Sequence, residues 1–340
     1  MHSVIFGCAG LELTADERAF FRDVNPLGFI LFARNIDSPE QARRLSDELR
    51  SCTARAETPI LIDQEGGRVA RLKPPHWRKA PPGRVFGELY ARDPDAGLEA
   101  AKLNSTLLAA DVLSVGCTVD CLPVLDVSFP DTHSVIGDRS YAESPEAVAA
   151  IGRAAAEGLA RQGVMPVTKH VPGHGRATVD SHELLPRVKV SREELERADF
   201  LPFKLLADLP WSMTAHVLYE AVDRNAALTI SARGVREVVR EHIGFDGLLL
   251  SDDLSMQALG GSLGERAARA LAAGCDVALH CNGEMAEMKQ IAATIVPLGA
   301  QGTRRLAASE AWLARHRAPL SRQELANTSR RLAELLPEWG

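Results

Sequence analysis

Residues 163–168 read GVMPVT, and residues 169–186 read KHVPGHGRATVDSHELLP. The first is a short apolar run of the kind a buried strand makes. The second packs three histidines, two glycines, an aspartate and a lysine into eighteen residues. A helix start follows at Ser191-Arg192-Glu193-Glu194, where a serine precedes a glutamate by three residues in capping-box order. The unit is therefore strand, long polar loop, helix. A single histidine in a loop ordinarily bonds its own turn. Lys169, His170, His174, Asp180 and His182 together exceed what one loop needs for structure, and long loops in compact domains carry function.

The same unit repeats on both sides. Apolar runs at Val4–Cys8, Gly28–Phe32, Pro59–Asp63 and Thr118–Leu122 precede it, and runs at Trp211–Ala215, Gly247–Ser251 and Cys275–Leu279 follow. Helical stretches separate them, starting near Thr14, at Ser38-Pro39, Pro94, Ser144-Pro145, Ser191, Ser231, Leu263 and beyond Asn282. The passage from Asp63 to about Gly87 is rich in glycine and proline and reads as loop. Eight strand-then-helix units predict an α/β fold, a single (β/α)8 TIM-type barrel. The strands are nearly continuous apolar runs, as in a parallel sheet covered by helices. A doubly wound sheet would show a glycine-rich turn after its first strand, and Cys8-Ala9-Gly10-Leu11 is not one. The expected organisation is a catalytic barrel over residues 1–299 and a C-terminal helical appendage over 300–340, with helices near Arg304–His316 and Ser321–Leu336.

The chain has 340 residues, 46% hydrophobic and 25% charged, with a net charge of -6, an ordinary globular composition. Nothing in that balance calls for nucleic acid or a membrane surface as partner. The first residues, MHSVIFGCAGLELTADE, lack the basic and long apolar regions of a secretory signal. Six cysteines form no CxxC pair, and Cys117, Cys121 and Cys275 sit in apolar runs as small buried hydrophobes. A reduced cytoplasmic monomer acting on a small molecule is the expectation, with no metal and no cofactor implied.

In such a barrel the site is built at the carboxyl ends of the strands. Those positions hold Asp63, Asp126, Arg139, Lys169, His170, Asp180, His182, His216, Asp252 and Asp253. Two adjacent residues leaving a strand point in opposite directions, so only one of Asp252 and Asp253 is expected to face the centre.

KHVPGHG with DSH a few residues on, together with IDQEGGRV, IGDRSY and SDDLSM, resembles the bacterial single-domain β-N-acetylhexosaminidases of glycoside hydrolase family 3. These release N-acetylglucosamine during peptidoglycan recycling. The resemblance runs from about Gly28 to Leu279, and five motifs in order make it specific. Val171 stands where the family commonly has phenylalanine, which touches loop packing only. The resemblance implies a retaining exo-β-N-acetylglucosaminidase acting on muropeptides of the N-acetylglucosaminyl-anhydro-N-acetylmuramic acid type, with Asp252 as nucleophile. It implies an unusual acid/base, His182 held by Asp180, where most glycosidases use a carboxylic acid. The chemistry is sound: an imidazole titrates near neutrality, and a neighbouring carboxylate fixes its tautomer and favours its charged form. Asp63, Arg71, Arg139, Lys169 and His170 are the implied sugar clamp, with Lys169 or Arg139 expected to keep Asp252 ionised. His174 is expected to pin the loop and His216 to line the pocket. The alternatives are an N-acetylglucosamine phosphorylase of the same fold and a metal-dependent barrel hydrolase; against the latter, the chain has no HExxH motif.

Overall fold

The computed structural model describes residues 1–55 and 57–339; Gly340, the last residue of the expected appendage, lies outside them. Eight parallel strands close into a barrel in chain order. They are β1 (His2–Phe6), β2 (Pro26–Leu31), β3 (Ile60–Ile62), β4 (Val119–Asp120), β5 (Met165–Val171), β6 (Trp211–Thr214), β7 (Leu248–Asp253) and β8 (Val277–His280). Closure is made by β1 on β8, with Val4 opposite Ala278 and Phe6 opposite His280. All eight apolar runs read from the sequence are strands.

Alternation along each strand sorts side chains into two cores. Ile5, Leu61, Val119, Val167, Trp211 and Leu250 belong to a cluster that fills the barrel interior. Phe6, Ile60, Ile62 and Leu249 belong to the larger cluster between strands and helices. The interior is thus packed and forms no pore. At its lower end the helix Ala300–His316 lies across the opening, and its Leu306 and Leu313, with Leu298 just before it, pack against the interior cluster. Its arginines fix it there: Arg305 meets Asp276, which also holds Arg240 and the Leu249 N–H.

Helix starts follow local chemistry. Thr14, Ser38, Ser144, Ser262 and Ser321 each accept a hydrogen bond from the backbone three residues on, meeting one of the unpaired donors of a first turn. Ser191 does the same for Glu194 N, but the Glu194 carboxylate reaches Arg176 rather than returning to the cap. Three readings need correction. The glycine- and proline-rich passage before Gly87 contains the start of a helix, Gly83–Arg92, which packs Phe86 and Gly87 inward. The helix after Ser231 has only three α-helical residues before a π-helical stretch, Val235–His242. The strand ahead of the histidine loop runs on through Lys169, His170 and Val171, so the loop begins only at Pro172.

That last difference has a local cause. β5 pairs with β6 along Val167–Lys169 and resumes at Val171, with a register shift between them. Such a bulge re-aims the side chains beside it. Lys169 and His170, read as the start of the polar loop, are instead buried, because partners from neighbouring strand ends meet them.

Candidate active site

A cleft of about 260 Å³ opens at the carboxyl ends of the strands. Asp63, Arg71, Arg139, Lys169, His170, His182 and Asp252 all line it, while Asp180 stands behind His182.

One side is a chain of alternating charges. Arg71 Nη2 lies 2.9 Å from Asp63 Oδ2, and Lys169 Nζ lies 2.9 Å from Asp63 Oδ1. The same ammonium is 2.6 Å from Glu65 Oε1, and Arg139 grips Glu65 through two bonds of 2.8 Å. Burial alone raises the pKa of both carboxyls. For Glu65 the charges of Arg139 and Lys169 outweigh burial and bring its pKa down to about 2; Asp63 is held well below its ordinary range by Lys169 and Arg71. Lys169 is likewise disfavoured by burial, yet Asp63 and Glu65 raise its pKa.

Glu65 and Gln64 were not singled out from the sequence. Glu65 finds its partners far along the chain, Arg139 in the loop after β4 and Lys169 on β5, so nothing local flags it. Gln64 folds the segment that delivers Arg71: its side chain accepts from Arg71 N and Leu72 N and donates to Leu72 O. Its own N–H is held by Asp120 Oδ1 on β4.

His170 is oriented by Asp126, a fully buried carboxylate in the loop after β4. Asp126 Oδ2 is 2.7 Å from His170 Nδ1, and Oδ1 accepts from the backbone of His170 and His174. Burial opposes ionisation of Asp126, but His170 brings its pKa down to about 2.

Asp252 is the last residue but one of β7 and faces the cleft. Its Oδ1 accepts the Asp253 N–H at 2.8 Å, and among the described residues no cation lies within ion-pair distance. Burial raises its pKa, but His170, His216, the Asp253 amide and His182 together hold it below the ordinary range. The expected roles of Lys169 and Arg139 here are therefore corrected: those cations are committed to Asp63 and Glu65, and histidines do the work. Asp253 lines the cleft as well, which corrects the expectation that only one of the two faces it; its carboxylate is locally engaged, with Oδ1 accepting from Ser255 N and Cys281 N and Oδ2 from Ser255 Oγ. His216 does not line the cleft. It is buried beneath it, with Nδ1 2.7 Å from Thr229 Oγ1 and Nε2 3.0 Å from Asp253 O.

The dyad sits at the rim. His182 Nδ1 is 2.7 Å from Asp180 Oδ1, which also accepts the His182 N–H. Burial acts against Asp180, but both bonds from His182 lower its pKa. This leaves Nε2 as the nitrogen that can serve a substrate. Among the described residues no three His, Cys, Asp or Glu side chains converge as metal ligands. His170, His174 and His216 are each taken by Asp126, Ser181 and Thr229.

The cleft thus joins an unpaired, ionised carboxylate on a strand end to an imidazole–carboxylate pair on a loop, the two groups a glycosyl transfer requires. Residues 7–310 match the model of the glycosyl hydrolase family 3 N-terminal domain, and the chain belongs to that family. A protein of Methylococcus capsulatus named beta-hexosaminidase is 41% identical over 309 residues, covering 89% of this chain and 90% of its own. Another of that name from Alkalilimnicola ehrlichii is 40% identical over 283 residues, covering 82% and 80%. Among solved structures, NagZ from Neisseria gonorrhoeae in complex with N-trifluoroacetyl-D-glucosamine superposes with a TM-score of 0.87 at 31% identity, covering 98% of both chains.

Proposed function

We propose that this β-N-acetylhexosaminidase is a retaining exo-β-N-acetylglucosaminidase of cell-wall recycling, acting in the cytoplasm on muropeptides that end in β-linked N-acetylglucosamine. The observation that carries the reading is the shared cleft of Asp252 and the His182–Asp180 pair. Asp252 attacks the anomeric carbon, and His182 protonates the departing oxygen. Water then displaces Asp252 with His182 as base. The clamp from Arg71 to Arg139 offers donors and acceptors to the sugar hydroxyls and the acetamido group.

The charge pairing supports water over phosphate as acceptor. A phosphate dianion needs uncompensated positive charge, and Arg71, Lys169 and Arg139 already face Asp63 and Glu65. N-acetylglucosamine-1-phosphate formed in phosphate buffer would overturn that part.

The deciding experiment is hydrolysis of aryl β-N-acetylglucosaminides by wild type, Asp252→Ala and His182→Ala with added azide. Asp252→Ala should fall by a factor of about 10⁴ or more and yield the α-glycosyl azide. His182→Ala should lose about 10²–10⁴ on poor leaving groups, far less on dinitrophenolate, and yield the β-azide. Full activity in either variant sinks the assignment. Release of N-acetylglucosamine from an anhydro-muropeptide tests the substrate.

A further inference from the structure

The dyad is bonded to itself but barely to the barrel. The His182 side chain is 63% exposed and, among the described residues, hydrogen-bonds only to Asp180. Beyond the turn's own bonds, in which Glu183 N–H and Leu184 N–H donate to Asp180 O, three hydrogen bonds among the described residues tie residues 180–182 to other parts of the chain. Gln257 N–H donates to His182 O and Ala258 N–H to Ser181 O, each at 3.2 Å. The third joins His174 Nε2 to Ser181 Oγ at 3.0 Å. The first two are backbone bonds, available to any sequence whose loops meet. The third alone is written in side chains, and it grips the residue between Asp180 and His182.

His174 is built as a fixed strut. Its backbone N–H donates to Asp126 Oδ1 at 2.7 Å, on the carboxylate whose other oxygen orients His170. Its ring packs edge-on to His170 with centroids 5.7 Å apart. It is 2% exposed, and burial, with His170 nearby, drives its pKa down to about 4, so it stays neutral through the physiological range. Nδ1 is buried with no partner among the described residues. The tautomer with its proton on Nε2 avoids an unsatisfied buried N–H and donates to Ser181 Oγ.

We propose that His174, acting through Ser181, is the positioning residue that holds the dyad-bearing turn over the nucleophile. Asp126 then sets both the clamp histidine and, by way of His174, the acid. This rests on the reading of His182 as acid/base. A general acid works only within hydrogen-bond reach of its oxygen, and a displacement of about 1 Å costs as much as 100-fold. The loss scales with how much protonation the leaving group needs.

The test uses the full chain with Ser181→Ala, His174→Gln and His174→Asn, and two readouts. Amide hydrogen exchange over residues 178–186 should quicken about tenfold in Ser181→Ala, the effect of one lost hydrogen bond, with the melting temperature held. His174→Gln, whose amide nitrogen reaches the place of Nε2, should stay closer to wild type than His174→Asn, whose amide ends at Nδ1. The second readout is the ratio of kcat/KM for dinitrophenyl over methyl β-N-acetylglucosaminide. Ser181→Ala should raise it about tenfold, in the direction of His182→Ala, and add nothing in the His182→Ala background. Unchanged exchange, an equal fall on both substrates, or additivity with His182→Ala overturns the proposal. If the wild type cleaves neither substrate, the glycosidase reading fails, and the exchange data alone decide whether His174 latches the turn.

Discussion

Glu65 shows how much of this site depends on one buried group. Its carboxylate is the shared acceptor for Lys169 and both arms of Arg139, and its pKa of about 2 records that dependence. Glu65→Gln leaves buried Arg139 without its carboxylate and Lys169 with Asp63 alone, and removing one partner of a buried pair costs about 3–5 kcal/mol. The urea midpoint at pH 7 should fall accordingly, and kcat/KM with it. The same residue fixes a pH dependence. Below its unfolded value of 4.5 the unfolded chain binds the proton that folded Glu65 refuses, so stability rises with pH between about 2 and 4.5. The contribution is complete above 4.5 and lost as pH falls through 2. Asp126 acts in the same direction between about 2 and 3.8. Urea titrations at pH 3, 4, 5 and 7 should show the steepest loss below 4.5, and a shallower slope in Glu65→Gln; parallel curves would refute the assignment.

The elements were legible where chemistry is local. Each strand lies in an apolar run, and the helix starts at Thr14, Ser38, Ser144, Ser262 and Ser321 are written as caps. Helix Gly83–Arg92 was hidden because Pro82 and Gly83 at its start read as loop signals. The π-helical winding of Val235–His242 keeps an amphipathic pattern and so looks like an ordinary helix. Strand-end position and motif pointed to Asp252, His182 and the clamp. Position likewise marked Asp126, though not its bond to His170; Glu65 and Gln64, which fix the clamp, take partners far along the chain where no spacing rule reaches. Loop crossings are just as tight. At Gly175, at the base of the histidine loop, a methyl group would sit 1.7 Å from the Val127 carbonyl oxygen, a backbone atom that cannot give way. Gly175→Ala should therefore pull the histidine loop off the loop after β4. The expected result is a melting temperature several degrees lower and quicker tryptic cleavage within residues 172–186. An unchanged melting curve would mean that the crossing is looser than drawn.

Across the whole molecule the division of labour follows from the barrel. Asp252 stands on a strand braced on both sides, while the acid rides a loop held by few bonds. Beneath them the interior is filled by Leu61, Val167, Trp211 and Leu250, and helix Ala300–His316 closes the lower end. The cleft is thus a dead end of about 260 Å³, near the small limit for ligand sites and suited to one terminal sugar ring. A cul-de-sac imposes a queue. The sugar enters first and leaves last, since the aglycone stands between it and the exit. Free N-acetylglucosamine should then compete with substrate for empty enzyme, whereas the aglycone, the first to depart, should inhibit non-competitively by reversing glycosylation. Product-inhibition patterns that exchange these two roles would show a second way out.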